Sequence, residues 1–258
     1  MDDKKAFFGY KEVSASQKTS LVNKVFSSVS SKYDVMNDLM SGGLHRLWKE
    51  EFIKHISDFH GKFLDMASGT GDIAIKIYKK SNKLYGKEAD ITACDASSEM
   101  LEIGRAKALD AGITSIKYEI CFAEKLPFED NSFDYYIVAF GIRNFTDIKE
   151  ALKEALRVLK PGGKFLCLEF SKVQNPVLSS IYNFYSMNMI PFIGKAVAKD
   201  EEAYRYLVES IRKFPDQIKF KNMIEEAGFT NIKYSSMTFG TVAIHVGYKP
   251  HSRTREKS

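Results

Sequence analysis

From residue 62 onward the chain alternates short apolar runs with stretches whose apolar positions recur at helical spacing. The runs "KFLDMA" (62–67), "DITACD" (90–95), "IKYEICF" (116–122), "FDYYIVAF" (133–140) and "KFLCLEF" (164–170) have the length and apolar content of buried strands. Between them, "DIAIKIYKK", "SEMLEIGRAKALDAG" and "IKEALKEALRVLK" carry the 3.6-residue period of helices, the second closing on Gly112 as a C-cap. This alternation predicts an α/β fold: a parallel sheet with helices on both faces. Two final runs, "NIKYSSM" (231–237) and "TVAIHVGY" (241–248), are close enough to predict an antiparallel hairpin at one sheet edge.

Two regions fall outside the alternation. Residues 19–60 read as helical, with Leu21, Val22, Val25, Phe26 and Val29 at helical spacing. Residues 173–214 form a long insertion after the fifth strand, rich in aromatics and methionines. No repeat or linker sets either apart, so both are expected as caps over one end of the sheet within a single domain, 1–258. Its parts are a helical cap (19–60), a core (62–170), a helical insertion (173–214), a terminal hairpin (231–248) and a disordered tail (251–258).

Composition changes this picture little. At 44% hydrophobic and 28% charged, the chain is an ordinary globular one. The net charge of +5 owes much to the tail "KPHSRTREK", and no basic stripe marks a nucleic-acid binder. Cys94, Cys121 and Cys167 sit inside apolar runs without metal spacing and read as buried thiols of a reducing compartment. "MDDKKAFFGY" lacks the features of a leader, and no stretch approaches the ~18 apolar residues of a membrane span. The expectation is a cytoplasmic protein, with peripheral contact at the inner face of a membrane left open.

In a parallel α/β sheet, ligands bind beyond the C-terminal strand ends. Asp65, Asp95, Phe122-Ala123, "AFGIRN" (139–144) and Glu169 occupy those ends. After the first strand comes a glycine loop, and its Gly69-x-Gly71-x-x-Ala74 spacing fits a dinucleotide fingerprint, which would make the chain a nicotinamide-dependent oxidoreductase. Asp65 and Asp72 argue otherwise, because a diphosphate would compete with them at the helix N-terminus. A zwitterionic amino acid joined to a nucleoside through a sulfonium tolerates those acids better. Asp95 is placed to accept two ribose hydroxyls.

Asp65-x-Ala67-x-Gly69-Thr70-Gly71, an acid ending the second strand, and "LKPGGKF" before the fifth resemble the class I S-adenosylmethionine-dependent methyltransferases. "YDVMNDLMSGGLHRLWK" (33–49), "AEKLPFEDNSFD" (123–134), "FGIRN" (140–144), "RVLKPGG" (157–163), "EFS" (169–171) and "YRYLVESIRKFP" (204–215) are similar to one branch, the ubiquinone/menaquinone biosynthesis C-methyltransferases, over roughly residues 17 to 249. The resemblance implies a Rossmann-like sheet of seven strands, the last antiparallel, with S-adenosylmethionine as cofactor. By matching positions it places Asp65, Gly69, Thr70, Gly71, Asp95, Ala96, Phe122, Ala123 and Ala139 at the cofactor. Related sequences often carry Asn or Asp at the position of Phe122 and Ser at that of Ala139, so here the Ala123 backbone is expected to meet the adenine edge, with Phe122 packing on the ring.

The resemblance also implies methylation of a ring carbon of a lipophilic prenylated quinol, a benzoquinol or a demethylmenaquinol. A phenol near pKa 10 must lose its proton before its ring carbon attacks. Arg143 is expected to stabilise the phenolate, the alternative being a surface pair with Asp147, and Asn144 to orient the ring. His45 shares a helical stripe with Trp48 and Phe52 and points inward, either as a core histidine or as a base or hydrogen-bond partner of the quinol. Tyr33 and Asn37 flank that segment and would close over the substrate, while Asp34 and Asp38 read as helix caps. In residues 176–198, Tyr185 and Met189 are expected either as core or as lining for the prenyl tail. No metal is expected. The resemblance leaves room for a homodimer, for contact with other quinone-biosynthesis proteins, or for a catalytically idle scaffold subunit.

Overall fold

The structure, a computed structural model, describes residues 5–29, 37–38, 41–173 and 201–251. Tyr33, Asp34, Tyr185 and Met189 lie outside the described residues, as do most of the 173–214 insertion and of the tail.

The chain opens with a two-stranded antiparallel hairpin, β1 (Lys5–Phe8) and β2 (Lys11–Ser14), which the sequence reading did not anticipate. It runs directly into α1 (Ala15–Val29), so the first helix begins four residues before the expected 19. After α2 (His45–Ile53) comes the sheet: β3 (Lys62–Met66), β4 (Asp90–Asp95), β5 (Lys117–Ile120), β6 (Phe133–Ala139), β7 (Leu159–Phe170), β8 (Thr230–Met237) and β9 (Val242–Tyr248). Their spatial order is β5-β4-β3-β6-β7-β9-β8, with β9 antiparallel to both of its neighbours. The parallel strands are connected by α3 (Asp72–Tyr85), α4 (Ser98–Asp110) and α5 (Ile148–Val158), and α6 (Glu201–Lys213) and α7 (Gln217–Glu226) precede β8.

Strand alternation divides the core into two layers. On β3, Phe63 faces the layer with Phe52, Ile77 and Tyr204, whereas Leu64 and Met66 face the layer with Val158, Phe165 and Phe220. On α3, Ile73, Ala74, Ile77, Tyr78 and Ser81 form the buried stripe, with Gly71 and Gly86 in left-handed conformation at its two ends. Side chains cap three other helices: Ser97 accepts from Met100 N–H, Asp147 from Glu150 N–H and Asp216 from Lys219 N–H. The three cysteines are buried and free.

Two strand boundaries differ from expectation by more than one residue. β7 begins at Leu159, not 164, because the "KPGG" segment continues the ladder: Gly162 N–H donates to Lys249 O and Lys249 N–H to Gly163 O, both at 2.9 Å. β5 stops at Ile120, so Phe122 leaves the sheet, 45% exposed, at the crevice. Among the described residues no helix is long and apolar enough to cross a membrane.

Candidate active site

Parallel pairing aligns the C-terminal ends of β3, β4 and β6, and a cleft of about 690 Å³ opens above them. Beyond Met66 the chain turns sharply through Ala67 (φ 54°), Gly69 (φ 54°) and Gly71 (φ 77°). Left-handed backbone is costly for alanine, and such strain collects where function demands it. The loop is pinned to the next strand: Ser68 N–H donates to Cys94 O at 2.9 Å and Gly69 N–H to Asp95 Oδ2 at 2.8 Å. It also lies against α4, where a Cβ on Gly104 would come within 3.1 Å of Thr70 C and 3.3 Å of Gly71 N.

Asp95 is both brace and ligand candidate. Its Oδ1 accepts from Ser97 N–H at 3.0 Å, so each oxygen holds one backbone donor and keeps lone pairs for others. Burial pushes its pKa up, opposed by the N–H groups of Ser97, Gly69 and Ala96. A recess adjoining the cleft is lined by Lys49, Asp65, Ala67, Thr70, Asp72, Ala139 and Phe140. There Asp65, 1% exposed, accepts from Ala74 N–H at 3.1 Å. Burial pushes Asp65 up to about 7, against the pull of that N–H and of Lys49. Lys49 Nζ instead bonds Asp72 Oδ2 at 2.7 Å, and Lys107 Nζ donates to Thr70 Oγ1 at 3.1 Å.

The end of β6 supplies the opposite wall. Phe140 is again left-handed (φ 58°), and a Cβ on Gly141 would overlap that of Ala67, so the two strand ends touch. A 3-10 turn, Ile142–Asn144, follows. It sends Asn144 into the cleft, but Arg143 lines a neighbouring cavity of about 1010 Å³. There Arg143 Nη1 donates to Glu169 Oε1 at 2.8 Å and to Phe140 O at 2.6 Å. Glu169 is thus its partner in place of Asp147, which caps α5. A roof from α1 completes the cleft, with Thr19, Val22, Asn23 and Phe26.

A roofed, mostly apolar cleft, a braced acid ending the second strand and a strained glycine loop meet at the C-terminal edge of the sheet. The family model described as the ubiE/COQ5 methyltransferase family matches residues 11–249. The chain belongs to this family. It is 55% identical over 243 residues, 94% of this chain and 98% of the other, to the "Ubiquinone/menaquinone biosynthesis C-methyltransferase UbiE" of Rickettsia bellii (strain OSU 85-389). Identity to the protein of the same name from Rickettsia prowazekii (strain Madrid E) is 53%, with the same coverage. Among solved structures, an S-adenosylmethionine-dependent methyltransferase of Thermotoga maritima superposes with TM-score 0.62 at 19% identity, over 88% of this chain and 99% of that one. Haemonchus contortus phosphoethanolamine N-methyltransferase 2, in complex with S-adenosyl-L-methionine, gives TM-score 0.58 at 16% identity, over 79% of this chain and 52% of that one. The cofactor of this methyltransferase is S-adenosylmethionine, and the nicotinamide reading of the glycine loop is set aside.

The fold brings together many of the residues that the resemblance placed at the cofactor. Gly69, Asp95, Ala96, Phe122 and Ala123 line the cleft, and Asp65, Thr70 and Ala139 line the recess beside it. Gly71 serves the turn. The residues suggested for catalysis are more scattered. His45 is buried beside Trp48 and Phe52, with Nε2 2.9 Å from Asp38 Oδ1, and borders a groove between α2 and α3 outside the cleft. Burial lowers its pKa more than Asp38 raises it. Asp38 bridges His45 and Arg46. Asn37 contributes its carbonyl to Ser41 Oγ at 2.6 Å. Sequence reasoning passed over the α1 roof and Tyr206, whose hydroxyl donates to Asn144 Oδ1 at 3.0 Å. The helical spacing of Val22 and Phe26 was visible, but it does not distinguish a core face from a cleft face.

Proposed function

We propose that this chain transfers a methyl group from S-adenosylmethionine to a ring carbon of a prenylated quinol, either a benzoquinol or a demethylmenaquinol. The observation that carries the reading is 55% identity, along nearly the whole chain, to a relative named for C-methylation in ubiquinone/menaquinone biosynthesis. The site's chemistry is compatible with the cofactor. Asp95 has acceptor capacity to spare for a ribose diol, Phe122 offers a half-exposed ring, and Asp65 sits in the recess where a cationic amino group would be favoured. When bound, the cofactor supplies an electrophilic methyl on sulfur.

The chain's residues do the rest by placement. A ring carbon must lie in line with that methyl, and reactants so held gain most of their rate from orientation. Asn144 faces the cleft and is the side chain we assign to the ring's oxygen. Arg143, tied to Phe140 O and Glu169, anchors the turn that carries Asn144. The α1 roof excludes water from the reacting atoms. His45, held by Asp38 outside the cleft, is assigned to packing.

A quinol with a prenyl tail resides in a membrane, and we infer peripheral attachment there. The groove between α2 and α3 supports it, with Arg46, Lys76, Lys79, Lys80 and Lys83 along its walls and Leu47 and Leu84 exposed nearby. The test of the main reading is methyl transfer from labelled cofactor to two reduced lipids in parallel, a methoxy-polyprenyl-benzoquinol and a demethylmenaquinol. Label in either lipid is the expected result. Cofactor binding without label in either would return the scaffold reading.

A further inference from the structure

Asn144 stands between two environments, the cleft on one side and α6 on the other. On the α6 side the Tyr206 hydroxyl donates to its Oδ1 at 3.0 Å. That tyrosine is held firmly. It is 3% exposed, and its ring stacks on Phe8 of the β1–β2 hairpin with centroids 4.1 Å apart and planes within 10°. The hairpin is tied to the same helix through Tyr10 N–H, which donates to Glu209 Oε2 at 3.1 Å. Burial holds the Tyr206 hydroxyl well above its usual pKa, despite nearby Arg143, so it remains a donor throughout the working pH range. An amide whose oxygen is so engaged must direct its two N–H donors elsewhere. The reverse orientation would present a carbonyl oxygen to a phenolate and leave the hydroxyl proton unmet.

We propose that Tyr206 is a positioning residue for the reaction: by occupying Asn144 Oδ1 it turns the Asn144 Nδ2 donors into the cleft, where they stabilise the phenolate oxygen of the reacting quinol. This rests on the quinol reading above. Donors fixed in advance toward developing charge are the arrangement that lowers such barriers, because nothing need reorient during reaction. The N-terminal hairpin thereby acquires a catalytic consequence: its Phe8 keeps the tyrosine in place.

The test is Tyr206→Phe, which keeps the ring and its stack. Turnover should fall about tenfold, less than the ~100-fold loss typical of deleting such a donor itself. S-adenosylhomocysteine affinity should stay unchanged. The ascending limb of the kcat–pH profile should move to higher pH, because the bound phenol loses a donor that favours its anion. In an Asn144→Ala background the same change should have no further effect. Wild-type turnover with an unmoved limb, or losses that multiply in the double variant, would overturn the assignment. A second measurement needs neither substrate nor variant. In the wild-type complex with S-adenosylhomocysteine, the Asn144 Nδ2 protons should give at most a weak nuclear Overhauser effect to the Tyr206 ring protons. A strong one would mean the amide is reversed and the proposal wrong. Wild-type protein that methylates neither quinol would sink the functional reading, leaving this amide orientation to be judged by the Overhauser measurement.

Discussion

Asp65 shows how one buried acid couples stability to pH. Its pKa is about 7 in the fold, where burial disfavours the anion, against roughly 3.9 in an unfolded chain. Between those values the folded state holds a proton that the unfolded state has lost. Its contribution to stability is therefore full below about pH 4 and declines as pH rises toward 7. A cationic amino group in the recess favours the ionised acid, so cofactor affinity should rise over the same window. Melting of the free protein should fall from pH 5.5 to 8 more steeply in wild type than in Asp65→Asn. Calorimetric affinity for S-adenosylhomocysteine should climb with pH in wild type alone; parallel behaviour of both proteins would remove Asp65 from the recess chemistry. Arg143 calls for a paired experiment. Removing it leaves Glu169 buried and unpaired, a loss of about 3–5 kcal/mol for such pairs. Arg143→Ala should thus unfold at much lower urea, and adding Glu169→Gln should restore most of the midpoint. Turnover should stay low in both, with cofactor affinity nearly intact in the double variant. Recovery of turnover with stability would reduce Arg143 to a structural residue.

Elements made of local pattern were legible, and elements made by distant contacts were not. β3, β4 and β6 could be read from the sequence because both faces are buried, leaving short runs that are mostly apolar. The β8–β9 hairpin declared itself by its short connection. The β1–β2 hairpin did not, since what holds it is Tyr206 and Glu209 on α6, some two hundred residues away. The site divides in the same way. Asp95 and the glycine loop are contiguous motifs, but the roof on α1 and the Tyr206–Asn144 bond exist only after folding. The contact between the ends of β3 and β6 gives a test at this scale. Gly141 has ordinary backbone angles (φ −114°, ψ −34°), so its requirement for glycine is steric, set by Ala67. Ala67 is itself in left-handed backbone and pinned through Ser68, leaving little room to yield. Gly141→Ala should cost about 1–3 kcal/mol, as overpacking does. It should also weaken S-adenosylhomocysteine binding about tenfold, read by denaturation and calorimetry. Lost stability with unchanged affinity would show that the strain relaxes away from the cleft.

For the whole molecule the problem is delivery, since a cleft of this size must receive a ring whose tail prefers lipid. The open groove between α2 and α3 is lined by Arg46, Lys76, Lys79, Lys80 and Lys83 against Glu50 and Asp72. Not all of that charge is available: Lys76 is paired with Glu50, Arg46 with Asp38, and Lys80 lies over the Phe59 ring. Lys79 and Lys83, one turn apart and exposed on α3, remain the best donors of charge to a surface. A basic residue near an anionic bilayer contributes about 1 kcal/mol. Reversing both therefore removes at least ~2 kcal/mol, more than tenfold in partitioning. The wild-type protein should co-sediment with vesicles containing phosphatidylglycerol, less so as salt is raised, and weakly with phosphatidylcholine alone. Lys79→Glu with Lys83→Glu should abolish most of that binding. It should also slow methylation of a long-tailed quinol embedded in vesicles while leaving a short-tailed, water-soluble quinol unaffected. That split separates docking from chemistry, because neither lysine lines the cleft or its recess. Equal loss on both substrates would place the lysines in the fold, and undiminished vesicle binding would move the membrane face elsewhere on the molecule.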